Sequence, residues 1–490
     1  MAESYLAVDL GAGSGRVMRG RLGADGTLAL EERHRFPNGP VQRNGRLVWD
    51  FPRLRREVLS GLQAACASGP HPRSIGVDGW GVDFGLVDRD GNVLGDPCAY
   101  RDPRFPEAME DFLSTFPGEE LHRLTGIQIL PINTIFQLHA MAREGDGRLQ
   151  AAEHLLFVPD LLHHALTGER TTEYTMASTS QLLEAGTRSW CAPLLEALGV
   201  PARLFRAPVE PGTVIGTIPE AVSKRTGLPR LSVAAPATHD TASAVAAVPA
   251  EGRDFAWLSS GTWSLIGIEA DAPVVDARTF EANVTNEGGV FGTVRVLKNI
   301  MGLWILEECR RAWGGAPALE TLLCEADKAP PLRAIFDPAD PAFLHPPDML
   351  QAVAGGIRRG GGEPPASRGA VARAVLESLA LAYRHALEAL QAIRGAPVDR
   401  LHVIGGGSKN GLLCRFTADA TGLPVLAGPA EATSAGNLLM QAHAAGRVGS
   451  LEEIREISRR SFPPARYDPE PSEAWEEAYG RFCAIKSAGE

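Results

Sequence analysis

The 490-residue chain is 44 % apolar and 22 % charged, the composition of a soluble globular protein long enough to bury its own cores. At roughly 150 residues per domain it has room for about three domains. A formal charge of −11 argues against a nucleic-acid binder or a polybasic membrane protein, so an anionic ligand has to be held by local groups acting within a screening length of about 8 Å.

In chain order, Tyr5–Asp9 reads as a buried strand, Gly11–Gly15 as a tight turn and Val17–Leu22 as the returning strand. Asp25-Gly26 marks a hairpin turn into a third strand, Leu28–Phe36. Asp50 is placed to cap a helix with Pro52 in its first turn, running to about Ala67. Ser74–Asp78 is the next strand, and Asp90-Gly91 a further turn. Three meandering strands, a helix and a strand are not the βαβ opening of a dinucleotide fold.

Beyond about residue 110 the chain becomes more helical, and Pro249-Ala-Glu-Gly252 marks a boundary between residues 1–248 and 249–490. The second half restarts like the first: strand Phe255–Ser259, turn Ser260-Gly261-Thr262, strand Trp263–Glu269. Residues 314–367, rich in Pro and Gly, are expected to be surface excursions. A long helix follows from about Gly369 to Arg394, its apolar residues recurring at i+3/i+4 and Gly395 ending it. Strand Leu401–Ile404, glycines 405–407, a helix over Asn410–Thr421, strand Pro424–Ala427 and a helix over Glu431–Ala445 complete the core. The architecture expected is α/β: two α/β domains with an interdomain cleft.

Several functions are excluded. None of the five lysines follows a glycine, so there is no Walker A loop, and no G-x-G-x-x-G occurs. Asp83-Phe84-Gly85 spells a kinase tripeptide without its companion motifs and reads as strand. The seven cysteines include no CxxC pair, which points to reduced thiols. Met1–Leu10 lacks the pattern of a signal peptide, and the small-apolar stretch Leu231–Ala250 is interrupted by His239 and Asp240. A soluble cytoplasmic protein is expected.

Four segments carry chemistry. In Asp9-Leu-Gly-Ala-Gly-Ser-Gly-Arg16 an acid ends a strand and a Gly/Ser turn follows. Such a turn aims N–H groups into one concavity suited to phosphate oxygens, with Asp9 placed to hold Mg²⁺ through water; an ordinary hairpin with a solvated Asp fits the same residues. Ser259-Ser-Gly-Thr262 is a second such turn at the same point of the second half, and Ile404–Asn410 a third, where side-chain-free backbone lets a base or ribose approach. In Thr238-His239-Asp240-Thr241 an acid and an imidazole end a buried run, which is costly unless they are paired or used. Asp240 is then either a general base towards a substrate hydroxyl, oriented by His239 and Thr241, or a helix N-cap. Trp80-Gly81 and Lys298-Asn299 suit a sugar, or simple packing.

These residues, together with Gly76–Phe84, Asn286-Glu-Gly-Gly289 and Val296–Trp304, resemble the FGGY carbohydrate kinases of the actin/Hsp70/sugar-kinase superfamily, over residues 5 to about 445. Trp80–Phe84, Ser260–Ser264 and Leu297–Trp304 resemble the branch of that family acting on L-rhamnulose. The resemblance implies two actin-like (ribonuclease H-like) domains: 1–248 with the sugar site and first phosphate loop, 249–490 with the nucleotide site. It implies transfer of the γ-phosphoryl group of ATP, with Mg²⁺, to O1 of L-rhamnulose in rhamnose catabolism. Carried over by position, Ala12, Gly13, Ser14, Gly15, Arg16 and Thr262 contact ATP phosphates, and Gly406 lies at the nucleotide. Gly81, His239, Asp240, Thr241 and Asn299 hold the ketose, with Asp240 the proton acceptor and Asp9 the metal-side acid. Position 13 is Gly where relatives often have Ser. Position 79 is Gly where they often have Thr, which implies a looser sugar floor. Glu307 stands where a nucleotide-side Gln is usual.

Phosphoryl transfer has a loose transition state, so an ordinary carboxylate suffices as base and positioning does most of the catalysis. Two alternatives keep different parts of this reading: a kinase of another ketose or polyol such as L-fuculose or xylulose, or an actin/Hsp70-like ATP-binding regulatory module. The expected partners are a sugar and ATP, with no nucleic acid and no membrane, in a monomer or small homo-oligomer.

Overall fold

The strand–turn–strand opening forms because an uncharged apolar run meets a glycine turn. In the computed structural model, which describes residues 3–344, 346–470 and 472–489, β1 (Glu3–Leu10) and β2 (Ser14–Leu22) pair antiparallel with Asp9 opposite Arg16. The hairpin closes through the Gly11 N–H to the Ser14 carbonyl at 2.9 Å. β3 (Leu28–Pro37) extends the meander. Helix α1 (Phe51–Cys66) starts as expected: the Asp50 carboxylate accepts the Arg53 N–H at 2.9 Å, with Pro52 in the first turn. β4 (Ser74–Gly79), β5 (Thr213–Thr217), β6 (Ser232–Ala235) and α2 (Asp240–Ala246) follow.

After the boundary come β7 (Phe255–Ser260), β8 (Trp263–Ala270), β9 (Val294–Met301), α3 (Trp304–Ala312), α4 (Leu319–Lys328) and α5 (Met349–Arg359). The long helix α6 (Arg368–Arg394) is capped by Ser367 and ends at Gly395, whose φ of +74° is the left-handed stop a glycine supplies. β10 (Arg400–Ile404), α7 (Gly411–Thr421), β11 (Val425–Ala427), α8 (Ala432–Ala444), α9 (Leu451–Ser461) and β12 (Ala465–Tyr467) complete the elements used below.

The chain divides into two compact units. The first holds the residues up to Glu251, then Glu269–Val296 and Ala432–Phe462; the second holds Gly252–Ile268, Leu297–Glu431 and the chain from Pro463 onward. A single cut at 248/249 therefore misses two stretches that return to the first unit. The reason is packing. α8 buries Ala435, Leu438 and Leu439 in one core with Tyr5, Ala7, Ala242 and Ala246, and α9 adds Ile454 and Ile457 to it.

The first unit's sheet has the order β3-β2-β1-β4-β6-β5, with β1, β4 and β6 parallel and β2 and β5 antiparallel to their neighbours. The second unit's strands run β9-β8-β7-β10-β11-β12, with β7, β10 and β11 parallel and β8 and β12 antiparallel. The restart read from the sequence is thus a repeated topology: a hairpin whose first strand leads into parallel strands.

Residues 314–367 differ from expectation. Rather than surface excursions, α4 and α5 bury Leu322, Ala326, Met349, Val353 and Ile357, with Phe336 and Phe343 ring to ring at 5.0 Å. Most of the Pro and Gly residues mark the connections, while Gly355 and Gly356 lie inside α5. Leu319, Leu322, Leu323 and Ala326 already carry helical spacing between them.

Candidate active site

The first unit gathers its acids at the ends of parallel strands. Asp9 and Asp78 are register partners on β1 and β4, so their side chains leave the same face of the sheet. The Asp9 carboxylate takes a 2.8 Å bond from Arg16 Nη2 and a 2.9 Å bond from Ser434 Oγ of α8. Arg16 thereby lies on Asp9 at the mouth of the turn. Asn38 steadies the turn, its N–H donating to the Gly13 carbonyl and its amide to that of Gly11. Ala12 and Ser14 are partly exposed, Gly13 exposed and Gly15 buried against the Phe36 ring.

Asp78 is fully buried and takes a 2.6 Å bond from Asn437 of α8, which Gln441 supports in turn. Burial pushes the Asp78 carboxyl well above the usual carboxylate range, and the charges of Asp9 and Asp240 add to the shift. Its Oδ1 has no hydrogen-bond partner. An orphaned carboxylate oxygen beside Asp9 is a donor set that suits a hard cation such as Mg²⁺. Among the described residues no three His, Cys, Asp or Glu side chains form a cluster able to hold a metal.

Asp240 opens α2 and His239 precedes it. β4 meets the residues just before the helix, through a bridge between Gly79 and His239 and a 2.9 Å bond from the Gly79 N–H to the Thr238 carbonyl. Asp240 Oδ1 accepts the Thr241 N–H at 2.6 Å and faces its hydroxyl at 3.2 Å. Asp240 is the first residue of the helix and not its N-cap, which is His239. Thr241 is buried, with both its N–H and its hydroxyl turned to Asp240. Asp240 keeps 28 % of its side chain accessible. Burial raises its carboxyl above the usual range; His239 opposes the shift and the Asp9 charge adds to it.

Glu173 holds this corner. Fully buried, it accepts from the N–H and hydroxyl of Thr175 at 2.9 and 2.6 Å and from the Met176 N–H at 3.2 Å. It also accepts from the N–H and hydroxyl of Thr238 at 3.0 and 2.5 Å. Behind His239 lie Arg295 and Glu287, an ion pair at 3.2 Å. Burial alone would raise the Glu287 carboxyl, but the opposing influences, the Arg295 guanidinium foremost, hold the group below the usual glutamate range.

Gly81 lies against Thr179, whose hydroxyl accepts the Val82 N–H at 3.1 Å. Val82 has φ +68°, a strained conformation for a β-branched residue. Asp83 accepts from the indoles of Trp49 and Trp80 at 2.6 and 2.9 Å, the Tyr100 N–H at 3.2 Å and Gln137 at 2.9 Å. Burial still pushes it up to about 7. Trp49 and Trp80 pack with ring centroids 4.2 Å apart. The looser floor expected from Gly79 is not found: a Cβ there would lie 3.2 Å from Leu10 Cβ and 3.3 Å from Pro159, so those residues already close the space.

In the second unit, the Thr262 carbonyl accepts from the Gly302 and Trp304 N–H groups at 3.1 and 3.2 Å. The turn thus sits on the start of α3, the helix that carries Glu307. Gly407 packs so closely on Ser260 that no side chain fits, and Gly405 takes φ +80°. Gly406, exposed between them, therefore lies in the same loop cluster as Thr262. Asn299 is half-buried on β9. Glu307 pairs with Arg310 at 2.7 and 2.9 Å, one turn along its own helix. Its charge is met at the surface by its own helix.

Sequence reasoning assigned no role to Glu173, Arg295, Asp78, Asp83 or Glu287. Arg295 carried the one readable signal, a charge between valines in a buried strand, which demands a partner.

Two α/β units of repeated topology, with glycine turns at their strand ends and converging acids in the first, define a carbohydrate kinase. The N-terminal domain of the FGGY family of carbohydrate kinases matches residues 4–247, and its C-terminal domain residues 256–445. This chain belongs to the FGGY family. It is 48 % identical over 482 residues to a rhamnulokinase of Bacteroides thetaiotaomicron, covering 98 % of this chain and 99 % of that one. It is 42 % identical to a rhamnulokinase of Enterococcus faecalis, covering 96 % and 95 %. A ligand-bound xylulose kinase from Lactobacillus acidophilus superimposes with TM-score 0.82 at 17 % identity, covering 99 % and 98 % of the chains. A Plasmodium falciparum glycerol kinase with ADP does so with TM-score 0.78 at 15 % identity, covering 99 % and 98 %. These two likenesses establish the fold. No described helix is long and apolar enough to cross a membrane.

Proposed function

We propose that this chain is an ATP-dependent rhamnulokinase, converting L-rhamnulose to L-rhamnulose 1-phosphate with release of ADP in rhamnose catabolism. The observation that carries the reading is near-full-length identity of 40–48 % to rhamnulokinases of several bacteria. A cytoplasmic location suits such an enzyme.

The geometry supports a division of labour. Asp240 receives the proton of the sugar O1–H as the O1–P bond forms and the bond from Pγ to the ADP oxygen breaks. Its Oδ1 is engaged by Thr241, which leaves Oδ2 for the substrate. In the first unit His239 and Gly81 orient the ketose; in the second, Asn299 is the sugar-side residue. Ala12, Gly13, Ser14, Gly15 and Arg16 are the phosphate-side residues of the first unit, and Thr262 and Gly406 the nucleotide-side residues of the second. Mg²⁺ neutralises phosphate charge when bound, and Asp9, with the orphaned oxygen of Asp78, is the side that would hold it. Glu307, satisfied by Arg310, contributes least.

The test is ADP release from ATP with L-rhamnulose, L-fuculose, D-xylulose and glycerol, and with no sugar. L-Rhamnulose should give the highest kcat/KM. A stronger response to another sugar would reassign the substrate, and sugar-independent turnover throughout would favour a regulatory ATPase.

A further inference from the structure

Arg295 is buried without measurable exposure and held rigidly: Nε donates to the Gly288 carbonyl at 2.9 Å, and Nη2 pairs with Glu287 Oε2 at 3.2 Å. The same Nη2 lies 3.1 Å from Nδ1 of His239, its N–H directed at that ring nitrogen. A guanidinium is donor only and does not lose its proton in proteins. The nitrogen it faces must therefore accept, and an accepting Nδ1 carries no hydrogen. The ring proton is left on Nε2, which lies 3.5 Å from Asp240 Oδ1.

Glu287 makes the choice of nitrogen consequential. Its Oε2 is also 3.2 Å from Nδ1. Without Arg295, that carboxylate would favour a proton on Nδ1 and strip Nε2 of its hydrogen. Two groups of opposite demand thus face one nitrogen, and the guanidinium decides between them. The remaining neighbour, Thr175, takes the backbone N–H of His239 at 3.2 Å and leaves the ring alone.

We propose that Arg295 is a positioning residue that fixes His239 as the Nε2–H tautomer, so that the imidazole offers a donor beside Asp240. The consequence for catalysis rests on the sugar-kinase reading. A donor at Nε2 binds a ketose oxygen as acceptor and cannot take a proton from it, which leaves Asp240 as the group that does.

The experiment is ¹⁵N-histidine NMR on the full chain, with His239 assigned by its loss in His239→Asn. In the unmodified protein Nε2 should be the protonated nitrogen. Arg295→Met should move the proton to Nδ1 and lower kcat for L-rhamnulose by about 10–100-fold, the usual cost of removing an orienting partner, with nucleotide affinity unchanged. Adding Glu287→Gln to Arg295→Met gives Nδ1 an amide donor in place of the guanidinium. It should restore the Nε2–H tautomer and at least tenfold of the lost rate, a rescue that a purely structural role does not predict. A protonated Nδ1 in the unmodified protein, or an unchanged tautomer in a folded Arg295→Met, overturns the proposal. Should Arg295→Met fail to fold, the unmodified spectrum still decides. The spectra also hold whichever sugar is phosphorylated, so failure of the substrate reading is seen separately.

Discussion

Ser434 donates a 2.9 Å hydrogen bond to the carboxylate of Asp9 across 425 positions of sequence. Arg16 meets the same oxygen, Oδ2, at 2.8 Å. The first strand's terminal acid is therefore aimed by a helix made near the chain's far end. Removing one of two donors from an ionised acceptor costs about 1–3 kcal/mol. Ser434→Ala should accordingly lower the melting temperature modestly, with the Arg16 pair retained. Asp9→Asn should instead raise the Mg²⁺ concentration for half-maximal activity several-fold, measured by titrating Mg²⁺ at saturating ATP and sugar.

Asp240→Asn should cut turnover by about 10²–10⁴-fold, the range spanned by a positioned general base, while ATP binding measured by calorimetry persists. Turnover within a few-fold of the unmodified protein would remove Asp240 from the chemistry. Because Asp240 titrates above the usual carboxylate range, activity should fall on acidification at a pH above that of an ordinary aspartate.

A methyl group on Gly436 would overlap the carbonyl of Ser243, where α8 crosses α2. Backbone cannot yield as a flexible side chain does. Gly436→Ala should destabilise by about 1–3 kcal/mol or more, read by urea denaturation. Gly20→Ala, whose Cβ would meet only the movable side chain of Leu438, should cost less.

Asp83 titrates near 7 in the folded protein against an ordinary value of 3.8. A carboxyl raised by folding contributes full stability below the unfolded value, and that contribution is lost as pH rises through the folded one. The unmodified protein should therefore lose on the order of 3 kcal/mol relative to Asp83→Asn between about pH 4 and pH 7. Parallel denaturant titrations of the two proteins check it; a constant difference across that window would show that Asp83 stays ionised.

The hairpin around Gly11–Gly15, the Asp50 cap and the helix ended by Gly395 were legible because each is a local device: a turn, a cap, a left-handed stop. Asp240 was legible because a charge ending a run of alanines has few local explanations. Glu173 was not. Its five hydrogen bonds reach Thr175, Met176 and Thr238, and nothing in its own segment announces the last of these. The pairing of Arg295 with His239, 56 positions apart, was hidden for the same reason. The membership of α8 in the first unit was hidden too, since a helix rich in small residues fits either half by pattern alone.

That membership bears on how the polypeptide comes off the ribosome. The chain leaves the first unit at residue 251 and the last piece of it begins only at residue 432. Until then the nascent chain lacks Asn437 and Gln441, which donate to Asp78 Oδ2 and to the carbonyl of Leu6. Co-translational completion of the first unit is thus delayed until most of the second has emerged, and a truncated product ending before residue 432 would display a naked sheet face to chaperones and proteases.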